Sequence, residues 1–266
     1  MRTLVAIPVH NEEKHVRSVL DAVLNQVGNV LVVDDGSSDG TPDILAKYPV
    51  DVIRHAVNRG YGRSIRDAFT WAAADGYDWV ITMDSDNQHE PEAIPEFLEA
   101  ASRGDADIIS GTRYAMKPVS ASIPVSSSGS SGSLIPPPPD RRAINADVTA
   151  EINSVLGPAL GTTLTDSFCG FKAYRVSALK NLRLDEDGYA QPMQFWVQAA
   201  ANRLRVKEIP VALIYNDATR TFGGPLDDPA VRRRHYREVF QRELRRCADK
   251  LPASALQAVA SPCCCR

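Results

Sequence analysis

Between Thr3 and Ser110 the chain alternates between short runs of β-branched and aliphatic residues and longer amphipathic stretches, and this alternation constrains the fold more than any other feature. TLVAIPV (3–9), NVLVVDD (29–35), VDVIRH (50–55), WVITM (79–83) and ADIIS (106–110) read as strands. Between the first two, Val16, Val19, Leu20, Val23, Leu24 and Val27 recur at helical spacing and are closed by Gly28. Thr41 can cap a second helix, with Pro42 at its first position. A third helix follows the loop NRGYG and runs through Ala73 to stop near Gly76. A fourth, PEAIPEFLEAASR, is ended by Gly104. Strands alternating with helices in this way predict βαβ units and a largely parallel sheet.

Each of the first four strands is followed by a polar cluster. His10-Asn11-Glu12 follows the first, Asp34-Asp35-Gly36 the second, Asn58-Arg59-Gly60 the third and Asp84-Ser85-Asp86 the fourth. Parallel strands place all four clusters on the carboxyl edge of the sheet, where open α/β sheets bind ligands. Asp, Ser and Asn are also ordinary turn residues. In extended backbone, however, positions i and i+2 point to the same side. Asp84 and Asp86 can therefore share one divalent cation, which a diphosphate-bearing substrate needs. Asp86 is expected at an exposed strand end, so that its replacement would leave the fold intact.

Composition narrows the function classes. Apolar and charged fractions of 44% and 24% are those of a globular protein, and a net charge of −3 argues against bulk nucleic-acid binding. No apolar run reaches the roughly 18 residues of a membrane span, and MRTLVAIPVHNEE lacks a secretory core, which makes the expected location cytoplasmic. The five cysteines form no CxxC pair, so neither a zinc ribbon nor a disulfide framework is expected, and the CCCR terminus reads as frayed.

Residues 118–139, PVSASIPVSSSGSSGSLIPPPP, carry no charge and are dominated by Ser, Pro and Gly, which predicts a mobile loop. A helix with Ile144, Val148, Ile152 and Val155 comes next. After it come TDSFCGFKAYR, a helix around GYAQPMQFWVQAAANR and the strand-like RVKEIPVALIY. From Val231 to Leu251 the chain is helical in composition and holds eight Lys or Arg against three acids. Such a helix suits an anionic membrane surface, or it docks through Tyr236, Val239, Phe240 and Leu244.

Several chemistries lack their residues. HNEEKH after the first strand is neither the G-x-G-x-x-G of a dinucleotide fold nor an H-E-x-x-H zinc site, and there is no P-loop. A nucleotidyltransferase would want a glycine-rich loop with a basic residue there. What survives is a site where carboxylates face a base and ribose while Asp84 and Asp86 reach a diphosphate through a metal.

In order, IPVHNEE, VVDDGSSDGT, NRGYG, MDSDNQHEPE, SGTRY and DSFCGFKAYR resemble family 2 glycosyltransferases, in the branch of the dolichol-phosphate-mannose synthases. The resemblance covers roughly residues 3 to 220. It implies a GT-A fold (an α/β, Rossmann-like, mostly parallel mixed sheet flanked by helices), a nucleotide-sugar donor, Mg²⁺ or Mn²⁺, and usually inversion. The domain would span 1–220, with a nucleotide-sugar half at 1–112, the 118–139 loop and an acceptor half at 140–220; a helical tail follows at 221–266. Carried over by position, Pro8, His10, Glu12 and Asn58 border the nucleoside, and Asp34 or Asp35 binds the base or ribose. Asp84, Asp86 and Gln88 serve the metal and diphosphate. Arg113 contacts phosphate near the acceptor, Arg220 steadies the donor phosphates, and Arg141 or Arg142 meets an anionic acceptor. Asp166 is the candidate base or a structural hydrogen-bond acceptor; an acceptor phosphate, already ionised, needs no base. His10 stands where the family has Tyr or Phe, and Tyr61 where it often has Lys.

The implied acceptor includes a polyprenyl phosphate, reached by peripheral membrane contact. Two other readings stay open: a retaining transfer to a small phosphorylated acid such as a glycerate, and a non-catalytic nucleotide-sugar sensor. Limited proteolysis is expected to cut first within 118–139; resistance there would contradict a mobile loop.

Overall fold

The computed structural model of the chain describes residues 1–115, 139–214 and 221–255. Residues 118–138 of the Ser/Pro-rich stretch, Arg220 and the CCCR terminus lie outside these. Seven strands form one sheet in the order β3-β2-β1-β4-β6-β5-β7. They are β1 (Thr3–Val9), β2 (Val30–Asp34), β3 (Asp51–Arg54), β4 (Trp79–Thr82), β5 (Ile108–Thr112), β6 (Lys172–Arg175) and β7 (Val206–Pro210). β1 pairs in parallel with β2 (Val5 opposite Val30) and with β4 (Thr3 opposite Trp79). β6 alone runs antiparallel, wedged between β4 and β5. Both of its neighbours therefore point the same way, and Arg113 after β5 arrives on the same edge as Asp84 after β4.

Side-chain alternation divides the sheet between two cores. Leu4, Ala6, Leu31, Val33 and Val80 face one side. There they meet α3 (Tyr61–Ala74), α5 (Pro139–Leu160), α7 (Gln191–Ala201) and α8 (Pro229–Arg246). Val5, Ile7, Val30, Val32 and Ile81 face the other, against α1 (Val16–Leu24) and α4 (Ile94–Ser102). Among the described residues, the short α2 (Thr41–Leu45) and α6 (Val176–Leu179) are the remaining α-helices. Ile144, Val148, Ile152 and Val155 are all buried, as their spacing predicts. The fifth strand begins two residues later than expected. Arg175 and Arg205 pair with the Asp107 carboxylate just before it, and the strand runs from Ile108 through Gly111 and Thr112.

The C-terminal helix is docked. Tyr236, Val239, Phe240 and Leu244 are buried in the main core. Its arginines meet acids of neighbouring elements: Arg232 to Asp140, Arg233 to Asp147, Arg237 to Glu151, Arg242 to Glu186 and Arg246 to Asp185, all within 2.7–2.9 Å. Most of these pairs are exposed and individually weak, but together they neutralise much of the basic stripe. Glu243 is fully buried and accepts from the Gln194 and Gln198 side-chain amides of α7. Replacing Glu243 with Ala strands the Gln198 amide, leaves Gln194 only its bond to Asp185, and is expected to cost about 3 kcal/mol in urea unfolding. A loss below about 0.5 kcal/mol would mean α8 is only appended.

Candidate active site

A cavity of about 800 Å³ opens along the carboxyl edge of the sheet, lined from every strand end that the sequence marked. After β1, Pro8, His10 and Glu12 line it. Asn11 adopts φ 55°, a left-handed conformation that Asn tolerates; its side chain accepts from Ser38 N at 2.8 Å. The His10 Nδ1–H donates to the Asp35 carbonyl at 2.8 Å, while Nε2 accepts from the Asn11 amide at 3.3 Å.

Asp34 and Asp35 part company here. Asp34 is fully buried, accepts from Ser37 N and lies 3.3 Å from Arg54, beneath the cavity rather than in its lining. Asp35 lines the cavity and holds the next loop, accepting from Arg59 N at 2.7 Å and Gly60 N at 2.8 Å. That brings Asn58 and Tyr61 into the wall. Gly60 sits at φ 100°, and a Cβ there would meet the Asp187 carbonyl at 2.3 Å, so only glycine fits. Buried His55 bridges the same carboxylate (Nδ1, 2.6 Å) to Asp67 (Nε2, 2.9 Å), which Arg63 also pairs. In the sequence, His55 carries no local signal beyond its place at a strand end.

Asp84, Asp86 and Gln88 reach the cavity together. Asp86 is buried rather than exposed, at 7% accessibility, because its carboxylate turns inward to accept from Gln88 N at 3.1 Å, with Asn87 left-handed between them. Asp84 packs against Gly170, where a Cβ would meet its carboxylate at 2.4 Å. It also takes a hydrogen bond from the Tyr61 phenol, and burial together with that carboxylate pushes the phenol well above its ordinary pKa. Two carboxylates and an amide oxygen suit a hard cation such as Mg²⁺ or Mn²⁺. Among the described residues no three His, Cys, Asp or Glu side chains gather to hold a metal. The remaining ligands would come from water and a diphosphate, as Mg²⁺ sites commonly arrange.

Across the cavity, Arg113 and Asp166 form a two-pronged pair: Nε to Oδ2 at 2.6 Å and Nη2 to Oδ1 at 2.9 Å. Arg113 N and Phe168 N also donate to this carboxylate, which is 1% exposed. Burial alone would raise its pKa, but the guanidinium prevails and holds it below the usual carboxylate range. Of the two roles expected for Asp166, base or structural hydrogen-bond acceptor, this geometry suits the second. A carboxylate offers about four lone-pair positions, and four donors already occupy them. Arg141 lines the cavity and lies 4.6 Å from the Phe222 ring centre, whereas Arg142 is exposed and outside the lining. Arg220 lies outside the described residues. Lys172, unremarked in the sequence, is buried in the cavity wall with its ammonium on the Cys169 carbonyl, and burial pulls its pKa down. Beside these cations stands an aromatic wall: Tyr61 stacks on Tyr189 (6.0 Å), Tyr189 meets Phe222 edge-on (5.3 Å) and Phe168 meets Tyr236 (5.1 Å).

The mixed sheet with carboxylates and arginines along one edge defines an α/β transferase of the GT-A kind. The sequence profile of glycosyl transferase family 2 matches residues 4–183, and the chain belongs to that family; it is a glycosyltransferase. It is 30% identical over 224 residues to an undecaprenyl-phosphate mannosyltransferase of Micrococcus luteus, covering 80% of this chain and 84% of that one. A polyprenol monophosphomannose synthase of Mycolicibacterium smegmatis is 31% identical, over 79% of this chain and 76% of the other. In fold the chain resembles glucosyl-3-phosphoglycerate synthase from Mycobacterium tuberculosis, solved with Mn²⁺, UDP and glucosyl-3-phosphoglycerate. The TM-score is 0.66 at 19% identity, covering 94% of this chain and 81% of that one.

Replacing Asp166 with Ala strands the Arg113 guanidinium and is expected to cost about 3–5 kcal/mol at pH 7. Because the folded pKa is depressed, the pair's contribution is complete above the unfolded value of about 3.9 and lost as pH falls through the lower folded value. Urea unfolding of both proteins from pH 7 downward should show the gap closing only in that acid window; a gap that closes near pH 6 would assign the loss to another group.

Proposed function

We propose that this enzyme transfers a hexose from a nucleoside diphosphate sugar to the phosphate of a polyprenyl-type lipid, with inversion. The observation that carries this reading is the meeting, in one cavity, of the Asp84–Asp86 pair with Arg113 and Arg141 beside an aromatic wall. The curated relatives' names point to the same acceptor class. A small phosphorylated acid would call for cations around both of its anionic ends; an aromatic wall instead suits an apolar chain trailing from a single phosphate.

Pro8, His10, Glu12, Asp35 and Asn58 border the nucleoside, and Asp84, Asp86 and Gln88 hold a divalent cation at the diphosphate. When bound, that cation offsets the charge that gathers on the departing nucleoside diphosphate. Arg113 and Arg141 orient the acceptor phosphate, and Asp166 fixes the Arg113 fork. An ionised phosphate oxygen attacks the anomeric carbon, and the bond from that carbon to the diphosphate breaks with its electron pair leaving on the nucleotide. No proton has to be removed, consistent with an Asp166 whose lone pairs are all engaged. For the same reason Asp166 offers no nucleophile for a covalent sugar intermediate, so one in-line displacement inverts the centre. No helix of the described residues is long and apolar enough to cross a membrane, and the lipid head group would be met peripherally.

The test supplies labelled GDP-mannose or UDP-glucose and Mn²⁺ with undecaprenyl phosphate in detergent or with 3-phosphoglycerate. Label should enter the organic phase only with the lipid and disappear in EDTA. Transfer to phosphoglycerate alone would replace the lipid reading, and undiminished transfer in EDTA would remove the metal. Asp86→Asn, chosen because Asp86 is buried, is expected to lower kcat/KM by about a hundredfold or more.

A further inference from the structure

Asp84, one of the two carboxylates assigned to the cation, is held by His89 as well as by the Tyr61 phenol. His89 Nε2 lies 3.0 Å from Asp84 Oδ2. Because a carboxylate only accepts, His89 must be the donor. The imidazole is 4% exposed and packs at 5.4 Å on Phe171, which itself stacks on Phe97 at 4.2 Å. This wall belongs to the α1/α4 core, so the histidine has little freedom to swing. Gly170 lets the same carboxylate come close, since a Cβ there would meet it at 2.4 Å. His89 Nδ1 finds no partner among the described residues although it is buried. A buried ring nitrogen left unpaired is costly, and the histidine's one hydrogen bond goes to Asp84. A residue selected for packing alone would carry no such cost.

We propose that His89 is the positioning residue that presets Asp84 for the divalent cation. The inference rests on the metal reading above. With Oδ2 held by the imidazole N–H, the carboxylate does not have to be ordered when the donor arrives. Partners of this kind typically alter metal affinity by about 10–100-fold.

The test measures the affinity of the full-length protein for GDP and UDP by calorimetry, in Mn²⁺ and in EDTA, for wild type, His89→Ala, His89→Gln and His89→Asn. For whichever nucleotide binds the wild type, the ratio of the two dissociation constants reads the metal's contribution, and circular dichroism confirms folding. His89→Ala should shrink that ratio about tenfold while affinity in EDTA holds within about twofold. Gln places its amide nitrogen near the position of Nε2 and should restore most of the ratio; Asn places its own near Nδ1 and should not. Equal loss in Mn²⁺ and EDTA, or Gln and Asn behaving alike, would overturn the positioning role. A wild-type ratio of one would instead overturn the metal reading on which it rests.

Discussion

The parallel pairing of β1 with both β2 and β4 is the constraint on which everything else depends. It brings the ends of these strands, together with that of β3, to one edge. Residues from 8 to 88 in the chain thereby meet around a single cavity. The antiparallel β6 extends the same logic: it lets β5 run with β4, so Arg113 comes to the edge that carries Asp84 and Asp86. A sheet of strictly alternating direction would have scattered these groups to both ends.

Collecting carboxylates at one edge creates repulsion that must be offset locally, and each acid has its own partner. Asp35 spends its charge on two backbone amides and His55; Asp166 on the Arg113 fork; Asp84 on His89 and Tyr61. Asp86 accepts from Gln88 N, within one turn of loop. Through these contacts Asp35 and Asp166 build the cavity. Asp166 belongs with the builders, which is why a phosphate acceptor, needing no base, suits this site.

Much of the fold was legible because periodicity is a local property. Val16, Val19, Leu20 and Val23 declare a helix, and TLVAIPV a strand, wherever they lie in space. The polar residues after each strand were legible for the same reason, since chain direction alone sends them to one edge. Other features depend on contacts between segments that no local pattern encodes. The Asp107 carboxylate before β5 pairs with Arg205, far along the chain. His55 looks like an ordinary strand-end residue until Asp35 and Asp67 close on it. The burial of Asp86 depends on a left-handed Asn87, and the docking of α8 depends on Gln194 and Gln198 finding Glu243. Net charge along α8 could not reveal that its arginines are answered by acids of other elements, notably α5.

The central claim is that the carboxylates after β4 hold a cation facing a nucleoside diphosphate. Crystals grown with Mn²⁺ and GDP or UDP, measured near the manganese absorption edge, test it most directly. The account predicts an anomalous peak bound by Asp84 and Asp86, with the diphosphate on its open side and the nucleoside toward Pro8, His10 and Asp35. A nucleotide bound in that cavity with no manganese between it and the two carboxylates, or with the metal held elsewhere, would contradict it.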